Sequence, residues 1–173
     1  MLAARVFSAI VFAALQIVPR LPQPDVKYVP TPQNVVEAML DLARVTSGDV
    51  VYDLGSGDGR IPITAALRYG ARGVGIEIDP LQLRYAYDNL KKAGVADRVQ
   101  FYNQDLFATD VSGATVVTMF LLPQVNERLA PKLRRELRPG ARIVSHQYRM
   151  GDAWPPDEAH DVTGLMIYLW VVK

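Results

Sequence analysis

The sequence has no cysteine and only two histidines among its 173 residues. Without cysteine, neither a disulfide framework nor a thiolate metal site can form, and two histidines leave few nitrogen ligands for a metal ion. An excess of charge of one sign is also missing, because 19 lysines and arginines face 18 acids, for a formal net charge of +1. A nearly neutral chain has no global field that draws it onto nucleic acid. We therefore expect neither a metal-dependent reaction nor a nucleic-acid partner.

Apolar residues make up 50% of the chain, which is enough for one domain with a sizeable core. One uncharged apolar run, residues 6–18, precedes this domain and is typical of a membrane anchor or a signal-like segment. A helix that lies in the membrane surface or packs on protein is the alternative. We predict an apolar helix over residues 1–20, a proline-rich linker over 21–30 and a folded domain over 31–173.

Strand and helix patterns alternate along this domain. Apolar, β-branched runs predict strands within residues 49–55, 71–79, 98–106, 114–122 and 141–148, with helical segments before and between them. Thr31 is predicted to cap the first helix, with Pro32 at its first position, and Pro131 predicts a break or kink in the last helix. Gly164 predicts the turn of a closing hairpin. The alternation favours an α/β fold with a mainly parallel sheet covered on both faces.

The stretch DLGSGDG, residues 53–59, directly follows the first predicted strand. It lacks the longer gap of the dinucleotide fingerprint and the Lys-Ser or Lys-Thr pair of a phosphate loop. Its glycines allow a ligand to approach the main chain closely, while the Asp53 carboxylate favours a cation over an anion. Glu77 and Asp105 end the next two strands, where they are suited to the hydroxyls of a ribose and an exocyclic amine of a base. Because parallel sheets bind ligands beyond the carboxyl ends of their strands, the three acids predict one site.

With these residues the chain resembles the class I, seven-stranded S-adenosylmethionine-dependent methyltransferases, over about residues 28–173. The resemblance implies a Rossmann-like sheet and S-adenosyl-L-methionine as cofactor, with its methionine part at the glycine loop, its ribose at Glu77 and its adenine at Asp105 and Leu106. The turn LRPGARIV, residues 137–144, is similar to the one that this family uses before strand five. The contact residues that the resemblance implies are Thr31, Asp53, Leu54, Gly55, Ser56, Gly57, Gly59, Glu77, Asp105 and Leu106.

A narrower resemblance is to the lysine methyltransferases of the ATP synthase c-subunit and the adenine nucleotide translocase, and to their prokaryotic relatives. The matching stretches are YVPTP (28–32), DLGSGDGRI (53–61), FYNQDLF (101–107) and LPQ (122–124). The segment MFLLPQV after strand four lacks the Asn or Asp, Pro, Pro and aromatic residue of many amino-group methyltransferases of nucleic acids. The resemblance thus implies methyl transfer to a lysine of a protein, with a membrane-embedded protein as one substrate class.

Substrate-channel candidates in this reading are Tyr28, Pro123 and Gln124. Phe120, His146 and Tyr148 lie near the ends of strands four and five, where His146 and Tyr148 serve either the channel or ordinary packing. Trp154 either caps the site or anchors a proline-rich loop.

Two other functions remain open at this point: a small-molecule methyltransferase that acts near the membrane, and a non-catalytic S-adenosylmethionine-binding module. Because the cofactor is made in the cytoplasm, we expect a membrane-associated protein whose catalytic domain faces the cytoplasm.

Overall fold

The computed structural model describes residues 27–173, so the predicted apolar helix over residues 1–20 and most of the predicted linker lie outside the described residues. The described elements are α1 (Gln33–Leu42), β1 (Val50–Leu54), α2 (Arg60–Tyr69), β2 (Arg72–Glu77), α3 (Pro80–Ala93), β3 (Val99–Asn103), β4 (Val116–Met119), α4 (Pro123–Glu136), β5 (Arg142–His146), β6 (Glu158–Val162) and β7 (Leu165–Val171). Within residues 27–173, no helix is both long and apolar enough to cross a membrane.

The seven strands form one sheet in the order β3-β2-β1-β4-β5-β7-β6. Strands β1 to β5 run parallel, whereas β7 is antiparallel to β5 and pairs with β6 in a hairpin. The strand order reverses between β1 and β4, which is where open α/β sheets bind their ligands. The predicted α/β fold, with a Rossmann-like sheet and a closing C-terminal hairpin, is confirmed.

Helices cover both faces of the sheet because each presents an apolar stripe. On one face, Val36 and Met39 of α1 belong to the same buried cluster as Val51 of β1. On the other face, Leu129 of α4 belongs to a second cluster with Met119 of β4. All four residues of β4 are buried, as expected for a central strand between two helical layers.

Two local predictions from the sequence are wrong. The first helix begins at Gln33 with Pro32 in the N-cap position and no side-chain cap, because the hydroxyl of Thr31 is instead turned to His146. Of the predicted break or kink in the last helix, the break is wrong, since α4 runs continuously through Pro131. Pro131 lies on the exposed side of α4, where water can bind the carbonyl that a proline leaves without its helical partner.

Candidate active site

A cavity opens beyond the carboxyl ends of β1, β2 and β4, at the reversal of strand order. The glycine loop, residues 55–59, forms its floor, and an arm of residues 28–31 that has no regular secondary structure forms one wall. The predicted site residues that line the cavity are Tyr28, Thr31, Asp53, Gly55, Ser56, Glu77, Asp105 and Leu106. The residues that the sequence predicted for one site therefore lie together at one edge of the sheet.

Other predicted site residues lie outside the cavity lining. Leu54 is fully buried in the core beneath the loop. Gly57 and Gly59 shape the loop from behind: a Cβ at Gly57 would lie 2.3 Å from the Tyr28 ring, and one at Gly59 would lie 2.4 Å from Phe101. Both glycines also have positive φ, 52° and 79°, so any other residue would be strained there. Their role in the structure is thus to let the loop pass closely between neighbouring aromatic rings.

Asp53 is the most unusual carboxyl group of the site. The residue is 3% exposed, and its carboxyl group accepts one hydrogen bond, 2.8 Å long, from the Thr118 hydroxyl. Burial raises the pKa of Asp53 to about 7, the Thr118 hydrogen bond opposes the shift, and the nearby charges of Glu77 and Asp58 add to it. A buried carboxyl group in this state gains most from a cationic ligand that can share its charge.

Glu77 is fixed before any ligand arrives. One carboxylate oxygen accepts a hydrogen bond from the backbone N–H of Gly57 at 2.7 Å, and the other accepts one from the N–H of Asp79 at 2.8 Å. The side-chain amide of Asn103 donates to the Glu77 carbonyl at 2.9 Å. Since each carboxylate oxygen has a further lone pair, Glu77 can accept hydroxyl groups without changing its position. This preorganisation suits the predicted ribose contact.

Asp105 lines the cavity in the turn that follows β3. Its Oδ1 accepts a hydrogen bond from the N–H of Phe107 at 2.8 Å, which fixes the turn after β3, and Leu106 beside it also lines the cavity. In this turn the carboxylate of Asp105 can accept a hydrogen bond from the amine of a base, and the side chain of Leu106 can pack against its ring. The predicted adenine contact is consistent with this placement.

Asp58 and Arg60 tie the arm to the glycine loop, a role that the sequence analysis did not assign. Arg60 binds both carboxylate oxygens of Asp58, at 2.9 and 2.7 Å, and donates a third hydrogen bond to the Thr31 carbonyl at 2.9 Å. Although burial raises the pKa of Asp58, the hydrogen bonds and charge of Arg60 lower it below its usual value. The spacing Asp-Gly-Arg at the helix start was the available signal, because it allows a local bidentate ion pair.

Two polar atoms at the cavity lack partners, and this observation tests the cofactor assignment. Ser56 Oγ and Gln82 Oε1 are buried and have no hydrogen-bond partner among residues 27–173. Such atoms carry a free-energy penalty unless a ligand supplies the partner. The lining is also acidic, with Lys27 and the already paired Arg60 facing five carboxyl groups: Asp53, Asp58, Glu77, Asp79 and Asp105. A ligand with positive charge, hydroxyl groups and an apolar ring, such as S-adenosylmethionine, fits this set.

Phe120 forms the apolar wall of the cavity after β4. Its ring centroid lies 4.1 Å from that of His146 and 6.3 Å from that of Tyr148, so the three rings form one cluster in which only Phe120 reaches the cavity lining. Pro123 and Gln124 are exposed at the start of α4, outside that lining. Among residues 27–173, no three acidic or histidine side chains converge as a metal site.

Trp154 lies away from the cavity. Its ring centroid is 6.5 Å from that of Trp170, the Trp170 indole donates to its carbonyl at 2.9 Å, and the Arg134 guanidinium lies 4.4 Å above its ring. The side chain therefore anchors the proline-rich loop, which is one of the two roles that the sequence allowed.

Comparison with known proteins adds three findings. A family model described as the ANTKMT methyltransferase domain matches residues 53–158. The chain is 49% identical over 154 residues to a protein-lysine N-methyltransferase of Saccharolobus islandicus, a match that covers 86% of this chain and 95% of that protein. It is 34% identical to the ATP synthase c-subunit lysine N-methyltransferase of Xenopus laevis, over 82% of this chain and 61% of that protein, so it spans less than two thirds of that relative.

A solved structure is similar as well. It is described as an RNA methyltransferase from Salinibacter ruber in complex with S-adenosyl-L-homocysteine. The two chains are 56% identical and superpose with a TM-score of 0.81, over 83% of this chain and 94% of the other.

Proposed function

The chain belongs to the family of the ANTKMT methyltransferase domain and is an S-adenosylmethionine-dependent methyltransferase, and from that premise we propose that it methylates the side-chain amine of a lysine in a protein. S-adenosyl-L-methionine, which the family resemblance implied, is confirmed as the cofactor. The observation that carries the lysine proposal is the likeness to the Saccharolobus protein-lysine methyltransferase, which extends over nearly the full length of that protein.

The charge around the cavity supports a cationic cofactor. Five carboxyl groups line it against Lys27 and Arg60, and Arg60 is neutralised by Asp58. Because Asp53, Glu77 and Asp105 are assigned to the cofactor, this charge does not separate a protein lysine from a nucleic acid as the methyl acceptor.

The side chains of this chain provide binding and alignment for the reaction. When bound, the cofactor supplies an electrophilic methyl group on a sulfonium sulfur. Asp53, Glu77 and Asp105 would hold its amino, ribose and adenine parts, and the main work left to the protein is to align the acceptor nitrogen. Tyr28 and Phe120 offer an apolar wall for the lysine methylenes, and such a wall favours the neutral amine that attacks over the ammonium ion. We assign the proton of the ammonium to water at the cavity mouth.

RNA is the second candidate acceptor, because the similar Salinibacter structure is described as an RNA methyltransferase. The formal net charge of +1 argues against RNA, since RNA-binding proteins present a strongly basic surface. RNA is therefore included as a separate arm of the test below. A small molecule is the third acceptor class that the same test separates.

For the finer identity of the substrate, we propose a membrane-embedded protein. The likeness to the ATP synthase c-subunit lysine methyltransferase supports this choice, as does the apolar run over residues 6–18. We also propose that residues 1–20 hold the enzyme at the membrane, with the catalytic domain facing the cytoplasm where its cofactor is made. Fractionation of the source cells, with protease protection of the domain, tests this location.

The direct experiment is to incubate the purified full chain and radiolabelled S-adenosylmethionine with separated membrane protein, soluble protein, RNA and small-molecule fractions of its source. We expect label in one membrane protein, removed by protease and resistant to ribonuclease, with Nε-methyl-lysine identified by peptide mass spectrometry. Asp53→Asn, which is expected to bind the cofactor more weakly, is the control in which labelling should fall.

Each other result has a definite meaning. Ribonuclease-sensitive label would establish the RNA candidate and refute the lysine proposal. Label confined to soluble proteins would keep the lysine proposal and refute the membrane substrate, and label confined to the small-molecule fraction would refute both.

A further inference from the structure

Thr31 contacts the protein on two sides of the cofactor cavity. Its carbonyl accepts a hydrogen bond from Arg60 beside the glycine loop, and its hydroxyl shares a hydrogen bond, 3.2 Å long, with Nδ1 of His146 at the end of β5. Thr31 lines the cavity, whereas His146 lies behind it. A single residue of the arm is therefore joined to elements on both sides of the sheet centre.

His146 is buried for a reason that packing alone does not explain. It is 2% exposed, with its ring against Phe120, and Nε2 has no partner among residues 27–173. Burial lowers the pKa of His146, so the ring is neutral near neutral pH. A leucine or phenylalanine would fill such a position without leaving a polar atom unpaired. The hydrogen bond to Thr31 is the interaction that distinguishes the imidazole from an apolar side chain.

The arm is held in place by side-chain contacts, which include those of Thr31 with Arg60 and His146 and those of Tyr28 with Asp58 and Arg60. Residues 27–30 are exposed and belong to no helix or strand, while α1 is packed firmly against α2, β5 and β7. Pro30 and Pro32 restrict the backbone on both sides of Thr31. The orientation of Thr31 is therefore transmitted to Tyr28, whose ring lies against Gly57 of the glycine loop.

We propose that His146 is a positioning residue that, through its hydrogen bond to Thr31, holds the arm closed over the bound cofactor and slows cofactor release. Because the contact lies on the arm and not at the acceptor nitrogen, its loss acts on cofactor affinity and KM for S-adenosylmethionine more than on kcat. This inference concerns the cofactor only and does not depend on the identity of the methyl acceptor.

The test is calorimetric titration of the purified full chain with S-adenosylhomocysteine, together with stopped-flow measurement of its release. Thr31→Val and His146→Leu preserve volume and remove the hydrogen bond, and each is expected to weaken binding by about 3- to 10-fold, the range set by one net hydrogen bond. The release rate rises by a similar factor, KM for S-adenosylmethionine follows it, and kcat at saturation changes less than about twofold. The double variant is expected to be no weaker than the single ones, because both remove the same contact.

Rescue variants and a matched control complete the design. Thr31→Ser keeps the hydroxyl, and His146→Asn keeps a polar atom near the place of Nδ1, so both are expected to bind within about twofold of the original chain. The other histidine, His160, is exposed on β6 beside Glu158, and His160→Leu is expected to bind normally. Unchanged affinity in Thr31→Val and His146→Leu, or losses that add fully in the double variant, would overturn the proposal.

Discussion

Two buried aspartates lie at opposite ends of the central strand β1, and their surroundings differ sharply. Asp49 directly precedes the strand and Asp53 lies near its carboxyl end, and the two residues are 6% and 3% exposed. Asp49 accepts hydrogen bonds from the Thr46 N–H and from the hydroxyls of Thr46 and Thr115, and it forms an ion pair with Arg142. Within residues 27–173, the carboxyl group of Asp53 accepts a hydrogen bond from the Thr118 hydroxyl alone.

The pKa values of the two carboxyl groups diverge accordingly. Burial raises the pKa of Asp49, but the hydrogen bonds of Thr115 and Thr46 and the charge of Arg142 outweigh it, and the net pKa is lowered. For Asp53 burial dominates, and the pKa rises to about 7. The protein itself supplies the partners of Asp49, so the amino edge of the sheet stabilises the fold. In the described part of the chain Asp53 lacks such partners, so the carboxyl edge is less stable without a ligand and is suited to bind the cofactor.

The largest effect on stability is expected when the cation that pairs with Asp49 is removed. Arg142→Met keeps the aliphatic stem and leaves Asp49 buried without its partner, so the free energy of unfolding is expected to fall by about 2–4 kcal/mol. Cofactor affinity of the folded fraction stays unchanged, because the ion pair lies at the opposite edge. Chemical denaturation and calorimetric titration measure the two quantities.

Arg135→Met is the control for that variant. Arg135 pairs with Glu136 on the surface of α4 and is 69% exposed, so its loss should change stability by less than about 0.5 kcal/mol. Equal effects of the two substitutions would mean that the Asp49 network contributes no special stability.

The second test replaces each of the two aspartates separately by asparagine. Asp53→Asn keeps an acceptor for Thr118 and removes a buried charge, so we expect an unchanged or higher melting temperature together with cofactor binding weaker by roughly 10- to 100-fold, the value of a charge-assisted contact. Asp49→Asn should do the reverse, lowering the melting temperature and leaving the cofactor dissociation constant unchanged. If Asp53→Asn binds the cofactor normally, Asp53 is only a structural residue.

The position of the site could be predicted from sequence because it follows from local patterns. The glycine loop after β1 and the acids at the ends of β2 and β3 depend on strand alternation alone, and parallel strands bring Asp53, Glu77 and Asp105 to one edge. The hairpin turn at Gly164 was equally local, since the glycine has a φ of 87° there.

The contacts of the arm could not be predicted, because they join residues distant along the chain. Thr31 carried a convincing N-cap signal, yet its hydroxyl pairs with His146, 115 residues further on. The spacing of apolar and polar residues along the chain gives no sign of a contact between residues so far apart. The pairing of Arg60 with the Thr31 carbonyl was hidden for the same reason, although its ion pair with Asp58 was visible in the motif.

The last prediction concerns how folding stability depends on pH, and the two aspartates contribute with opposite sign. Asp53 has a folded-state pKa of about 7, above its unfolded value, so between roughly pH 4 and 7 the folded chain binds more protons than the unfolded chain and its stability falls as pH rises. Asp49 has the opposite sign: its stabilisation is present above its unfolded pKa and is lost as pH falls through the lowered folded pKa.

Because a cationic cofactor prefers the ionised Asp53, protons compete with it below pH 7. The dissociation constant for S-adenosylmethionine is expected to be constant above pH 7 and to rise as pH falls below 7, by up to about tenfold per pH unit, until it reaches the loss expected of Asp53→Asn. In Asp53→Asn this slope should be lost, whereas in Asp49→Asn it should persist, as calorimetric titration across the pH range will measure. A slope that survives in Asp53→Asn would assign the titration to a group other than Asp53.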